Sequence, residues 1–389
     1  MFSNREMWGE GPTFVLAAFA LMPLTELIGH LTDQIALHTN DSLGCLLNAT
    51  FGNIAGLLIC LAALQKAQQA RVAGDLKQAE SYLSLVQTSL LGSMLANLLL
   101  VQGSAFLVGG LRQSVQIFNY QSSITSTGLL ILSVLGLSVP TMMTKTGTEA
   151  DALLFEPSEK LLSLSRIISG CYLIIYFSFI FFQLKTHIFL FKMDRINNLE
   201  NHNFDLSTKE SSISNIERSE NRSDSELGFL PALFWLALFS VCVAFLSTLV
   251  VGAAEKAVDK FGLSPLFVGG IVLPIVGNAS QHASALIFAW RDKMDVAIGV
   301  AVGSAIQISL FIWPTCIFVG WAMGVPFASS LSKVQCSSFN LTQTTNINIQ
   351  LMMAIIIVAS VALAFTLHAG SSHWLHGLVF LNSSILAKN

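Results

Sequence analysis

"VGGIVLPIVGNASQHASAL" (residues 268–286) and "LGCLLNATFGNIAGLLI" (residues 43–59) carry the same device, a Gly-Asn pair inside an apolar run. Glycine loosens a membrane helix and admits another backbone; the asparagine adds an amide oxygen beside carbonyls freed from helical bonding. The setting is decidedly apolar. The 389 residues are 53% hydrophobic and 11% charged, with a mean hydropathy of +0.66, outside the range of a soluble domain of this size. A bilayer core of about 30 Å takes roughly 20 helical residues. Runs of that order lie near 13–32, 44–64, 83–110, 122–143, 162–190, 229–252, 263–290, 296–323, 350–368 and 373–386. The expected fold is an all-α polytopic membrane protein with about ten transmembrane helices. The last run, within "HWLHGLVFLNSSILAKN" (373–389), has a short apolar core, so a marginal span or a truncated terminus is expected.

One polar segment interrupts the pattern, "KMDRINNLENHNFDLSTKESSISNIERSENRSDSELG" at 192–228, whose Ser, Asn and mixed charge read as a flexible solvated linker. It separates a first repeat, 13–191, from a second, 229–389, with 1–12 as an N-terminal tail. The halves resemble each other. Besides the two Gly-Asn runs, "SLLGSMLANLLLV" (89–101) pairs more loosely with "GVAVGSAIQISLF" (299–311). Five spans per repeat turn the second copy upside down, the inverted-repeat plan of secondary transporters, with a site near the midplane where the copies meet. Lys and Arg are nearly balanced between alternate loops and fix no orientation. A cytosolic linker would place the N-terminus and the sequon Asn340-Leu-Thr on the opposite side. The tail "MFSNREMWGEGP" lacks a small-residue cleavage site, so no removable signal peptide is expected.

Several classes fall away. Nucleophile elbow, P-loop, HExxH and dinucleotide fingerprint are all missing from the sequence, so an enzyme is not expected. No basic cluster interleaved with aromatics suggests nucleic acid. Cys45, Cys60, Cys171, Cys242 and Cys316 lie in or beside apolar runs without CxxC spacing and read as small core residues, while Cys336 sits alone in a loop. No cofactor is implied; the lipid bilayer is the expected partner, and the oligomeric state is left open.

Two broken helices meeting at the midplane could build an oxygen-lined cation site around Asn53 and Asn278. Small-residue packing with an asparagine as interhelical glue is the alternative. Glu26, His30 and Asp33 fall at i, i+4 and i+7 on one face of the first span, and ionisable residues inside a membrane are functional candidates. For Asp33 and His30 a place near the membrane surface is the competing reading. His282 titrates near neutrality when unperturbed and is a candidate proton carrier, or else a hydrogen-bonded structural histidine. Glu255 and Asp259, ending the sixth span, read as interfacial.

"CLLNATFGN" (45–53), "QTSLLGSMLANLLLV" (87–101), "FQLKTH" (182–187), "IVLPIVGNASQH" (271–282) and "RDKMDVAIGVAVGSAIQISLF" (291–311) together resemble the calcium/proton exchangers of fungal and plant vacuoles, the cation exchanger branch of the calcium/cation antiporter superfamily. The resemblance covers nearly the whole chain. It implies proton-coupled movement of Ca²⁺, or another cation, across a vacuolar membrane. It also implies an ion pathway that includes Asn53, Asn278, His282, Gln87, Ser93, Ser304 and Gln307, with Asp33 in place of a family carboxylate.

The departures from the family pattern bear on the site. Such exchangers carry Glu at the fifth position of each motif; here those positions hold Gly56 and Gln281. The helix that precedes the repeats in the family is not expected in this sequence, and an extra stretch is read around 68–80. A carboxylate about 4 Å from a cation contributes on the order of 4 kcal/mol per unit charge at an effective dielectric of about 20, and neither Gly nor Gln takes up a proton in the working range. Three readings stay open: an exchanger with weakened or altered Ca²⁺ exchange, a non-transporting relative acting as a regulatory or interacting membrane protein, and a transporter redirected to an organic substrate.

Overall fold

The computed structural model describes residues 10–39, 47, 50–143, 159–186, 227–328 and 341–386. The helices are α1 (Glu10–Leu37), α2 (Ile54–Val72), α3 (Leu76–Arg112), α4 (Tyr120–Met143), α5 (Glu159–Thr186), α6 (Phe229–Phe261), α7 (265–277), α8 (Ala279–Trp290), α9 (Met294–Ala322), α10 (Leu341–His368) and α11 (Trp374–Leu386). In hydrocarbon every backbone polar group needs an internal partner, so runs this apolar form helices regardless of modest propensity. Among the described residues, seven helices are long and apolar enough to cross a membrane, and the bent pair α7/α8 is an eighth. The protein is therefore a mostly helical integral membrane protein. All but the last two residues of the expected linker, together with Cys45, Cys336 and Asn340, lie outside the described residues. The stretch around 68–80 is helical up to Val72 and again from Leu76.

Two helices form the centre. In α9 and α3, 72% and 61% of the most apolar window is buried, against 17% in α5 and 28% in α6, which face outward. α1 packs along α6, α10 along α4, and α11 against the second half of α3. The helix ends gather at two faces. At one, the His38 ring bonds the Leu227 carbonyl at 2.8 Å, and Arg112 donates to the Trp290 carbonyl with its guanidinium 5.7 Å from the indole centroid. There also the short strands β1 (Gln116–Ile117) and β2 (Ser371–Ser372) pair antiparallel, with Gln116 opposite Ser372. At the other face, Gln68 donates to the Met323 carbonyl at 3.0 Å and Arg166 lies 4.8 Å from the Trp321 ring.

Three central helices change winding near their middles. π-helical turns span Ala96–Val101 in α3, Val268–Val272 in α7 and Ile308–Ile312 in α9. The latter two end just before Pro274 and Pro314. A proline lacks the N–H for the carbonyl four residues back and crowds it, so the preceding turn widens. No proline accompanies the turn in α3.

Backbones approach closely where the two halves cross. A Cβ on Gly92 of α3 would lie 2.2 Å from the Gly270 oxygen and 2.8 Å from its Cα. Those obstacles are backbone and cannot rotate away. Gly377 of α11 is equally confined, its Cβ position 2.3 Å from the Leu107 nitrogen. Cys60 and Cys316 are buried, Cys242 is half-buried and Cys171 exposed; all four are free thiols. We expect Gly92→Ala to cost about 3 kcal/mol of stability through overpacking. Gly299→Ala, whose Cβ meets nothing within 4 Å, should be neutral or slightly stabilising. Thermal unfolding of the two detergent-solubilised variants checks the contrast.

Candidate functional site

Both Gly-Asn pairs break their helices in the same way. Asn53 has φ −113° and ψ 19°, and Asn278 has φ −108° and ψ 15°. In each case the asparagine carbonyl accepts from the amide four residues on, Leu57 or His282, at 3.1 Å. The second break bends α7 from α8 by 59°. Beside the breaks the helices come into contact: a Cβ on Gly277, just before Asn278, would stand 3.6 Å from Gly56 Cα. The matching backbone conformations place two interrupted helices back to back at the centre of the bundle.

A network of neutral side chains joins them. The Gln281 amide nitrogen donates to the Gly52 carbonyl at 2.6 Å and to Asn53 Oδ1 at 2.5 Å. Asn53 in turn donates to Gln307 Oε1 at 2.7 Å. Ser304 Oγ lies 3.0 Å from Asn53 Oδ1 and 3.2 Å from Gln281 Oε1, and accepts from Asn97 Nδ2 at 2.7 Å. Its one hydroxyl hydrogen is shared between those two acceptors. Asn53, Gln281, Ser304, Gln307 and Asn97 are all buried.

Asn278 is not part of this network. It is only 1% exposed, and its Nδ2 has no hydrogen-bond partner. Gln307 Nε2, Asn97 Oδ1 and His282 Nε2 are likewise unpartnered, as are both amide atoms of Gln102. Each unsatisfied buried group costs about 1–3 kcal/mol, so their grouping near the crossing marks a polar strip inside the core. Gln102 went unnoticed in sequence because helical spacing does not align it with Asn97. The π turn does, through the bond from the Gln102 N–H to the Asn97 carbonyl. Gly52 was also missed, since its contribution is a backbone oxygen.

The other candidates lie apart from the network or at its edge. Gln87 is buried and donates to the Ala328 carbonyl at 3.3 Å; Ser93 is buried on α3. His282 is half-buried on α8 next to Gln281. A Cβ on Gly56 would meet nothing within 4 Å. Glu26 and His30 are exposed on α1, and Glu26 makes no contact with the Asn53–Gln281 network. The side chains of Asp33, Glu255 and Asp259 lie outside the described residues. Among the described residues no three His, Cys, Asp or Glu side chains cluster to hold a metal ion.

Comparison with known proteins places this geometry. The family profile for sodium/calcium exchanger protein matches residues 12–185 and again 231–383, one match on each side of the polar segment. Vacuolar cation/proton exchanger 1a of Oryza sativa subsp. japonica is 38% identical over 383 residues, covering 98% of this chain and 73% of that protein. Vacuolar cation/proton exchanger 2 of Arabidopsis thaliana is 35% identical, covering 96% of this chain and 74% of its own length. Among solved structures, native YfkE superposes with a TM-score of 0.70 at 25% identity, covering 99% of this chain and 93% of that one. The H⁺/Ca²⁺ exchanger CAX shares the fold, with a TM-score of 0.63 at 10% identity and coverage of 96% and 80%. The chain belongs to the sodium/calcium exchanger protein family, whose members are membrane transporters and not enzymes.

Proposed function

We propose that this chain is a cation/proton antiporter of the vacuolar membrane, built from ten membrane-crossing helices in two inverted five-helix repeats, with Ca²⁺ exchange weakened relative to its family. The inversion is supported by where helix ends meet. The end of α3 adjoins the end of α8, which leads directly into α9, so α3 and α9, third in their halves, run in opposite directions. Likewise the end of α1 meets the approach to α6. Counting the broken pair α7/α8 as one crossing, α2 and α11 complete the ten.

The observation that carries the functional reading is the contact of Gln281 with Gly52 and Asn53, which joins the two breaks at the centre of the bundle. Ca²⁺ and H⁺ are read here as cargo, in keeping with the vacuolar cation/proton exchangers the chain is similar to. Weakening follows from charge. Ca²⁺ takes 6–8 oxygens, usually including carboxylates, whereas the network consists of amides, one hydroxyl and one carbonyl. Antiport also needs a group that holds either a proton or the cation, and amides hold no proton near neutrality. The same closed network favours a second reading, a relative that does not transport.

ΔpH-driven ⁴⁵Ca²⁺ uptake into vesicles separates these readings. A Gly56→Glu/Gln281→Glu double variant is expected to exceed the native chain by at least about tenfold, the equivalent of about 1.4 kcal/mol. Equal uptake would overturn the weakening, and no uptake by either chain would favour the non-transporting reading. The two asparagines should also differ in stability. Asn53→Ala leaves Gln307 Oε1 without its donor and takes one of several partners from both Gln281 and Ser304, and should cost about 2 kcal/mol or more; Asn278→Ala removes an amide whose nitrogen has no partner and should cost less. Paired thermal unfolding curves give this difference.

A further inference from the structure

The geometry points to Gln281 as a tethered occupant of the cation position: its carboxamide nitrogen caps the two oxygens of the first broken helix and excludes divalent cations from them. The inference rests on reading the crossing as the ion site. The nitrogen stands 2.6 Å from the Gly52 carbonyl and 2.5 Å from Asn53 Oδ1. The nitrogen lies between these two oxygens and bonds both, the position a cation coordinated by both would take. Both its hydrogens are used, and Gln281 Oε1 is turned toward Ser304 Oγ at 3.2 Å.

A cap of this kind differs from a bound ion in two ways. It is covalently attached, so no concentration gradient removes it, and it is uncharged, so no proton displaces it. Withdrawing it would take the Gln281 donor from the Gly52 carbonyl and leave Asn53 Oδ1 with Ser304 Oγ, which opposes opening. A glutamate at the same position has no hydrogen to donate when ionised. Its oxygens would face the Gly52 carbonyl and Asn53 Oδ1 with like partial charge, an arrangement that a cation or proton between them stabilises. A single exchange of NH₂ for O therefore converts a closed contact into a cation-requiring one.

The two halves are unequal in this respect. Gly56, the counterpart of Gln281, has no side chain to reach toward the second break, and Asn278 Nδ2 is buried there without a partner. The block to divalent cations thus resides at residue 281, and residue 56 supplies none.

The test is thermal unfolding of the purified full-length chain in detergent, titrated with CaCl₂ or MgCl₂, for the native protein, Gln281→Glu and Gln281→Met. The native midpoint should not respond to Ca²⁺. Gln281→Glu should unfold at a lower temperature without Ca²⁺ and recover progressively with millimolar Ca²⁺, more than with Mg²⁺. Gln281→Met, which removes the cap without adding charge, should be destabilised and unresponsive. Should Gln281→Glu fail to fold during purification, its yield of monodisperse protein is measured with CaCl₂ present throughout; rescue supports the cap and lack of rescue overturns it. A native chain stabilised by Ca²⁺, or a folded Gln281→Glu that ignores it, also overturns it. The uptake assay keeps the two ideas distinct. Ca²⁺ uptake by the native chain with no Ca²⁺ response in Gln281→Glu removes the cap and leaves antiport standing; a Ca²⁺ response in Gln281→Glu with no uptake by any chain does the reverse.

Discussion

A helix interrupted inside a bilayer exposes backbone carbonyls where no water can satisfy them, and the organisation of this protein follows from how those carbonyls find partners. The Gly52 carbonyl, freed at the first break, is taken by the side chain of Gln281 from just past the second. For that bond to form, the two broken helices must lie close together, as they do beside Gly56 and Gly277. The contact then gathers Asn53, Ser304, Gln307 and Asn97 into one buried network. α3 and α9, which supply the outer members, are accordingly the most buried helices of the bundle.

The same economy of space extends around the site. Gly92 meets Gly270 at a separation that no side chain could tolerate, and π turns at Ala96–Val101 and Ile308–Ile312 rotate the polar residues of α3 and α9 relative to a regular helix. Such turns are concentrated at functional sites because they re-aim side chains without ending the helix. The packing is firm where backbones touch and open beside Gly56, Gly299 and Gly303, where an added Cβ would meet nothing within 4 Å. A site bounded in this way combines a fixed scaffold with local room, an arrangement suited to helices that shift against each other.

Much of the bundle was legible in the order of residues. Over the described residues, eight of the ten apolar runs read from the sequence correspond to one continuous helix each, the run at 263–290 to the broken pair α7/α8, and the run at 44–64 to α2 from Ile54 onward, after the Gly52-Asn53 break. Their limits were less so. The run read at 44–64 continues as helix to Val72, and the run read at 83–110 already begins as helix at Leu76, because Ala, Gln, Lys and Leu are good helix formers once the chain leaves the hydrocarbon. At Glu26 the sequence showed an ionisable residue within α1; that its side chain is exposed while α1 packs on α6, α7 and α8 is decided by the packing.

Residue order alone determined that this is a membrane protein and that two segments share one interrupted pattern. Hydropathy and Gly-Asn placement are local properties that act within a few turns of helix. The tertiary structure alone decided what the interruption is used for. Gln281 and Asn53 are 228 positions apart. The prolines and Gly-Asn pairs shape each helix locally, but no single helix encodes which other helix it will meet, so the closed amide network, and the unequal roles of Asn53 and Asn278 within and beside it, emerge only when the two halves pack.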